Sequence, residues 1–255
     1  MKKTLKEKLC RRELTFGSWV QIGHPSVMEI LETSDFEWLA VDCEHTEIGV
    51  NNFASLARTR GYNDTGLLVR VKANDTIFIR QVLDLGADGV IVPLVNNAEE
   101  AQRAVRAAKY PPDGIRGYAY CRANDYGKNF NAYVGRANEH VAVIVMIETV
   151  EAVDNIKEIL SVAGIDGVFI GPYDLSGSLG IPGETGNPRV KASCKAVYDA
   201  AALMEKSCGI HLVHPTRKNI REAVRQGCNF IALGMDSVFL AEQARVTMEL
   251  AKSCR

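Results

Sequence analysis

The sequence lacks several features that would assign it to particular classes of protein. It contains no C-x-x-C pair, and its 7 cysteines cannot all pair with one another, which argues against a disulfide framework and a zinc ribbon. No apolar run approaches the roughly 18 residues that a membrane-spanning helix needs. Its 30 basic and 31 acidic residues almost cancel, so neither nucleic acid nor an anionic membrane is an expected partner. We therefore expect a soluble cytoplasmic protein.

Short apolar runs alternate with helical patterns along almost the whole chain, as in β–α–β units of a parallel sheet. Eight apolar strands, each followed by a helix, favour a closed barrel over an open sheet, and no G-x-G-x-x-G motif follows the first strand. We therefore predict an α/β fold, a single (β/α)8 TIM barrel over residues 1–255, with a last helix from Asp236 to the C-terminus. The predicted strands cover residues 16–22, 38–42, 67–71, 89–92, 141–147, 167–170, 209–213 and 230–233.

Residues 110–140 fit neither the strand pattern nor the helix pattern. This stretch lies between the fourth barrel helix and the fifth strand and is rich in Gly, Pro, Asn and Arg. Irregular segments of this length within a compact domain are usually functional elements. We interpret it as a lid-like insertion that helps to select a substrate.

Polar residues follow most of the predicted strands at their C-terminal ends. In (β/α)8 barrels the chemistry takes place at that end, so these residues are expected to converge on one site. They are Asp42, Glu44 and His45 after the second strand, Arg70 on the third, Glu148 after the fifth, Asp174 after the sixth, His211 and His214 at the seventh, and Asp236 after the eighth.

Glu148 and Asp174 follow adjacent strands, so their carboxylates can meet. Two oxygen ligands with the remaining positions open suit Mg²⁺ or a similar ion, and a 2-oxo acid can supply further oxygens. The same two residues also fit a purely structural role, in which each caps a helix or turn.

Arg70 and His45 are the other candidates for chemistry. A guanidinium can hold a substrate carboxylate by paired hydrogen bonds, although a structural salt bridge between Arg70 and Asp42 or Asp84 fits the sequence too. His45 is a candidate acid/base with Asp42 three residues earlier, and a solvated loop histidine is the alternative.

At these residues the chain resembles the HpcH/HpaI family of class II pyruvate aldolases. The resemblance extends from Gly17 to the last helix, and no single motif carries it alone. The motifs are Asp42-Cys43-Glu44-His45, Val69-Arg70, Tyr110–Gly117, Ile147-Glu148-Thr149 and Phe169–Ser176.

The resemblance implies a metal-dependent lyase that reversibly cleaves a 4-hydroxy-2-oxo acid to pyruvate and an aldehyde. It implies that Glu148 and Asp174 carry Mg²⁺ or Mn²⁺, with Co²⁺ as a further option, and that no organic cofactor is used. It further implies that Arg70 binds the pyruvate carboxylate and enolate, that His45 and Asp42 form an acid/base dyad, and that Asp84 supports the site.

The family also implies further substrate contacts and an assembly. The assembly is a homo-oligomer, such as a trimer of dimers, whose subunits exchange their last helix and complete each other's acceptor pockets. Met146 and Tyr173 depart from the family pattern, since aldolases often have Gln at the first position and Ala at the second. The expected substrate-binding residues are Arg70, Met146, Gly171, Pro172, Tyr173 and Leu212.

Other functions remain open at this stage. A related synthase would condense a pyruvate or oxaloacetate enolate with another 2-oxo acid, as a siderophore-type citrate synthase does. A Schiff-base aldolase would need an inner-strand lysine, for which Lys72 is the one candidate near a strand end. A non-catalytic barrel is the alternative from a different class.

Overall fold

A computed structural model describes residues 3–61 and 64–254. Eight parallel strands close in the order β1-β2-β3-β4-β5-β6-β7-β8, and β8 pairs with β1 in parallel. This closed sheet, with helices between its strands, confirms the predicted TIM barrel. The strands are β1 (Thr15–Val20), β2 (Trp38–Asp42), β3 (Gly66–Arg70), β4 (Gly89–Val92), β5 (Ala142–Ile147), β6 (Gly167–Ile170), β7 (Ser207–Leu212) and β8 (Phe230–Met235).

The helices follow the strands on the outside of the barrel. The sequence patterns do not predict α1, α6 and α9, and α1 and α9 are too short to show a helical period. A 3-10 helix spans Arg122–Gly127. The α-helices are α1 (Leu5–Cys10), α2 (Pro25–Glu32), α3 (Val50–Arg58), α4 (Thr76–Asp84), α5 (Ala98–Ala108), α6 (Phe130–His140), α7 (Val150–Asp154), α8 (Ile156–Ser161), α9 (Pro172–Ser178), α10 (Pro188–Leu203), α11 (Arg217–Arg225) and α12 (Asp236–Ser253).

Large apolar side chains fill the interior of the barrel, because every second residue of a strand points inward. Helix α1 closes the N-terminal end, where a Cβ at Gly66 would lie only 2.9 Å from Leu5 Cδ2. The open space is therefore at the C-terminal ends of the strands. The interior cluster comprises Leu5, Leu9, Trp19, Trp38, Ala40, Leu68, Ile91, Ala142, Ile144, Met146, Phe169, Phe230 and Ala232.

Residues 110–140 lie at the N-terminal end of the barrel. They connect the end of α5 with the start of β5, and α6 occupies their second half. Arg122 Nη2 donates to Ala57 O at the end of α3 (2.8 Å), and Arg122 Nη1 donates to Leu85 O after α4 (2.9 Å). This position contradicts the expectation of a lid over the site of the same chain, because that site lies at the other end.

Helix α12 leaves the barrel after its first turn. Asp236 is buried, whereas all residues from Leu240 to Cys254 are exposed. Four of the exposed side chains are large and apolar, namely Leu240, Val246, Met248 and Leu250. Within the described ranges, no helix has the length and apolar character to cross a membrane.

Candidate active site

Two carboxylates meet at the C-terminal end of the barrel, beside Gly171. Glu148 is 4% exposed, and its Oε1 accepts a hydrogen bond of 2.7 Å from Leu94 N. A Cβ at Gly171 would lie 3.0 Å from Glu148 Oε2 and 3.4 Å from Asp174 Oδ2. The two oxygens therefore border one gap, and a glycine keeps that gap open.

A third carboxylate, Glu44, lies 3.3 Å from Arg70 Nε, and its charge acts on Glu148. Burial raises the pKa of Glu148 to about 7, and the charges of Glu44 and Asp174 act in the same direction. Burial also raises the pKa of Glu44 to about 6, with Asp42 and Asp174 adding to the rise. A cation beside Glu148 and Asp174 would relieve the repulsion.

The residues present fit a divalent ion that is only partly enclosed by protein. Among the residues described, no three or more His, Cys, Asp or Glu side chains form a complete metal site. Glu148 and Asp174 alone leave several positions for water and substrate oxygens, which is how Mg²⁺ is usually held.

Arg70 is fixed by a two-point ion pair with Asp42. Its Nε donates to Asp42 Oδ1 (3.0 Å) and its Nη2 to Asp42 Oδ2 (2.6 Å), while the guanidinium lies 4.6 Å from the centre of the Trp19 ring. Burial alone would raise the pKa of Asp42, but the hydrogen bonds and charge of Arg70 hold that pKa below its usual value. Of the two salt bridges considered from the sequence, the one with Asp42 is formed and the one with Asp84 is not.

His45 is exposed, and its ring does not contact Asp42. Asp42 Oδ1 accepts instead from the backbone nitrogens of Glu44 (3.1 Å) and His45 (3.2 Å). The nearest acidic partner of the ring is Glu44, whose Oε2 lies 3.6 Å from His45 Nε2. The expected dyad of His45 and Asp42 is therefore corrected in its contacts. Both oxygens of Asp42 bind Arg70, and Oδ1 also orients the loop through these backbone nitrogens. Glu44 faces the imidazole instead.

The expected substrate-binding residues border one open cavity of about 1270 Å³. Met146 is buried and points inward two residues before Glu148, and Tyr173 is 62% exposed beside Asp174. Leu212 also borders the cavity, but it packs against the apolar layer between barrel and helices. The inward position at the end of β7 is held by His211, which the sequence analysis places at this strand end without assigning it a role in binding. We call this end of the barrel the mouth; it is bordered by Gln21, Arg70, Met146, Gly171, Tyr173, Asp174, His211 and Met235.

Two further residues hold the first strand in place at the mouth. Gln21 Nε2 donates to Asp42 Oδ2 (3.1 Å), so it helps to fix the partner of Arg70. The buried carboxylate of Asp236 accepts from the backbone nitrogens of Gln21 (2.9 Å) and Ile22 (2.9 Å). Asp236 therefore has a structural role, and its position after β8 was the only sequence signal for it.

Asp84 lies away from the mouth of its own chain. It ends α4 at the N-terminal end of the barrel, and its Oδ1 accepts from Arg116 Nη2 (2.7 Å). Arg116 is buried and lies over the Tyr110 ring, 4.6 Å from its centre. Within one chain, Asp84 therefore stabilises the segment that follows α5.

The closed barrel, with an arginine and facing carboxylates at one end, defines a TIM-barrel enzyme able to hold a small anion beside a cation. The model of the HpcH/HpaI aldolase/citrate lyase family matches residues 15–242, and the chain belongs to this family. It is 36% identical to a 4-hydroxy-2-oxovalerate aldolase of Rhodococcus jostii, over 94% of this chain and 92% of the relative. It is also 36% identical to a hydroxypyruvate/pyruvate aldolase of Roseovarius nubinhibens, over 96% and 95%. A solved HpcH/HpaI aldolase/citrate lyase family protein of Burkholderia cenocepacia has a TM-score of 0.93 and 30% identity, over 97% of this chain and 98% of that one.

Proposed function

We propose that the protein is a class II aldolase that reversibly cleaves a 4-hydroxy-2-oxo acid to pyruvate and an aldehyde. The observation that carries this proposal is the gap at Gly171, bordered by Glu148 Oε2 and Asp174 Oδ2. Arg70 lies in the same mouth and is already oriented by Asp42. Membership of a family with aldolase relatives supports the same reaction.

Glu148 and Asp174 would hold a divalent ion in this gap, and we propose Mg²⁺ or Mn²⁺, with Co²⁺ as a further option. Such an ion supplies Lewis-acid stabilisation of the negative charge that develops on the 2-oxo oxygen. The raised pKa values of Glu148 and Glu44 support a cation here, because each reports negative charge crowded into a buried space. We propose no organic cofactor.

Arg70 binds the carboxylate of the pyruvate half in this proposal. Among the described residues, no group bonds to its Nη1, so that nitrogen is available to an anion. The face of Trp19 and the Asp42 carboxylate hold the guanidinium in one plane, which favours paired hydrogen bonds to a carboxylate.

His45 serves as the base for cleavage in this proposal. It takes the proton of the C4 hydroxyl, the C4–O electrons form the aldehyde, and the C3–C4 bond breaks. The electrons of that bond form the enolate, which takes up a proton from water at C3 to give pyruvate, and His45 returns its proton to the solvent. Glu44, 3.6 Å from His45 Nε2, stabilises the imidazolium that forms.

We further propose a cytoplasmic homo-oligomer, such as a trimer of dimers, in which subunits exchange α12. The exposed apolar side chains of α12 support an exchange, since they have no cover within one chain. Seven free cysteines fit a reducing compartment. We also propose that Asp84 and residues 110–140 act at the mouth of a neighbouring subunit, because both lie far from their own.

The test is a screen of aldehydes with pyruvate in the presence of Mg²⁺ or Mn²⁺, with products identified by mass. We expect 4-hydroxy-2-oxo acids, loss of activity with a chelator, and recovery when the ion is returned. The Glu148→Gln variant serves as the matched inactive protein. Products from 2-oxo acid acceptors alone would favour the synthase, and trapping of pyruvate by borohydride on Lys72 would favour a Schiff-base enzyme.

A further inference from the structure

One wall of the mouth is formed by β1, β7 and β8. Its side chains are Trp19, His211 and Met235, with Phe169 beneath them. β7 is four strands away from β3, which carries Arg70, so His211 belongs to the opposite side of the barrel. A molecule that reacts with the ligand of Arg70 and the carboxylates therefore has space to lie against the His211 side of this wall.

The hydrogen-bonding state of His211 is fixed by the fold. Its Nε2 lies 3.0 Å from Gly234 O, and a carbonyl can only accept, so Nε2 carries the proton. Burial lowers the pKa of the ring to about 4, so the imidazole is neutral at neutral pH. Nδ1 then carries a free lone pair, and no group of the described chain bonds to it.

Trp19 packs beside His211 on the same wall, with the two ring centres 6.0 Å apart. A hydroxyl group can donate its proton to Nδ1. An alkyl group and a carboxylate offer no proton.

The cavity continues past His211 towards α10 and α11, where Tyr198 and Ala223 border it. The pyruvate half is held on the other side by Arg70 and the two carboxylates, so the aldehyde occupies the space beside His211. We propose that His211 Nδ1 accepts a hydrogen bond from a hydroxyl of the aldehyde, and that the enzyme therefore selects hydroxylated aldehydes. This inference rests on the proposed aldolase function.

The test compares aldol addition of pyruvate to glycolaldehyde and to acetaldehyde, which differ by one hydroxyl. His211→Phe keeps a ring but removes the lone pair, and we expect it to lower kcat/KM for glycolaldehyde roughly tenfold relative to that for acetaldehyde. A phenyl ring has to pack beside Trp19, so the smaller His211→Leu is measured in parallel with the same expectation. His24→Phe is the matched control, because His24 is exposed, caps α2 and is not among the residues that border the cavity, and it should not change the ratio.

Exchange of the pyruvate methyl protons with D₂O reports on the donor half alone. We expect exchange to persist in both His211 variants while the aldehyde preference is lost. Normal exchange with an unchanged aldehyde ratio would overturn the inference and leave the aldolase intact. The inference is also overturned if the His211 variants lose activity only with hydroxypyruvate as the donor and keep the wild-type ratio between the two aldehydes. The hydroxyl bound by His211 would then belong to the donor and not to the aldehyde. A wild-type protein with neither exchange nor addition would refute the aldolase itself.

Discussion

Arg70 and Asp42 are register partners on neighbouring strands, and their side chains form a two-point ion pair at the mouth. Asp42 is fully buried and the Arg70 side chain is 12% exposed, so water screens the pair little. We expect Asp42→Asn to raise the KM for pyruvate roughly tenfold, because the guanidinium loses its fixed plane. The same change should destabilise the fold by about 3 kcal/mol, measured by urea unfolding.

Asp88→Asn is the control for this effect. Asp88 forms a similar two-point pair with Arg60 (2.7 and 3.3 Å), but before β4, at the N-terminal end of the barrel. We expect this variant to lose stability without a change in pyruvate KM. Equal rises in KM for both variants would mean that general loosening, and not the orientation of Arg70, is responsible.

Binding of the divalent ion should depend on pH through Glu148. Its pKa of about 7 in the ion-free protein means that, below pH 7, an ion must displace a proton. The affinity for Mn²⁺, measured by calorimetry, should therefore fall up to about tenfold per pH unit from pH 7 to pH 5 and level off above pH 8. Glu148→Gln should abolish binding. A flat profile with full binding in the variant would place the ion elsewhere.

The sequence predicts the barrel well because each strand is a continuous apolar run, as both faces of a barrel strand are buried. It also predicts that Glu148 and Asp174 meet, since they follow adjacent strands. The contacts of His45 depend on the loop after β2, whose path the spacing of residues does not determine. Whether Leu212 faces the mouth depends on which residues of β7 point inward. A shift of one residue along the strand exchanges the orientations of Leu212 and His211.

The position of residues 110–140 follows from chain order and not from composition. Segments that follow a strand lie at the C-terminal end of a barrel, and segments that precede one lie at the N-terminal end. This stretch precedes β5, so its glycines and arginines indicate an unusual element without placing it at the mouth. Contacts between subunits leave no comparable signal in one sequence.

Met146 offers a test of the departure from the family pattern. A glutamine there can donate an amide hydrogen to the oxygens of the bound donor, whereas a thioether cannot. We expect Met146→Gln to lower the KM for pyruvate about tenfold, since one hydrogen bond to a charged ligand is gained. The amide enters the apolar interior, so the variant should also lose about 1–3 kcal/mol of stability.

Met146→Leu is the control, because it keeps the size and apolar character of the side chain. Its pyruvate KM should equal that of the wild type. An unchanged or higher KM for Met146→Gln would weaken the assignment of pyruvate as the donor, and larger 2-oxo acids should be compared next.

Arg70 and His45 should have separable effects. Arg70→Ala should abolish both pyruvate proton exchange and aldol cleavage, because the donor loses its anchor. His45→Ala should abolish cleavage while pyruvate still binds, because the base acts on the hydroxyl of the aldol. Direct measurement of pyruvate binding and exchange distinguishes the two. Near-normal exchange in Arg70→Ala would contradict the role given to the arginine.

Asp84 tests whether a site takes residues from two subunits. The variant Asp84→Asn keeps an oxygen for the 2.7 Å bond from Arg116 Nη2 and removes the charge, so the fold should survive. If Asp84 serves the mouth of a neighbour, Asp84→Asn and His45→Ala should each be inactive alone. Mixed oligomers from coexpression should regain about one quarter of the sites, since random pairing places an intact Asp84 beside an intact His45 at that frequency. Full activity of Asp84→Asn, or no recovery in mixtures whose composition is verified by mass, would restrict Asp84 to holding Arg116 within its own chain.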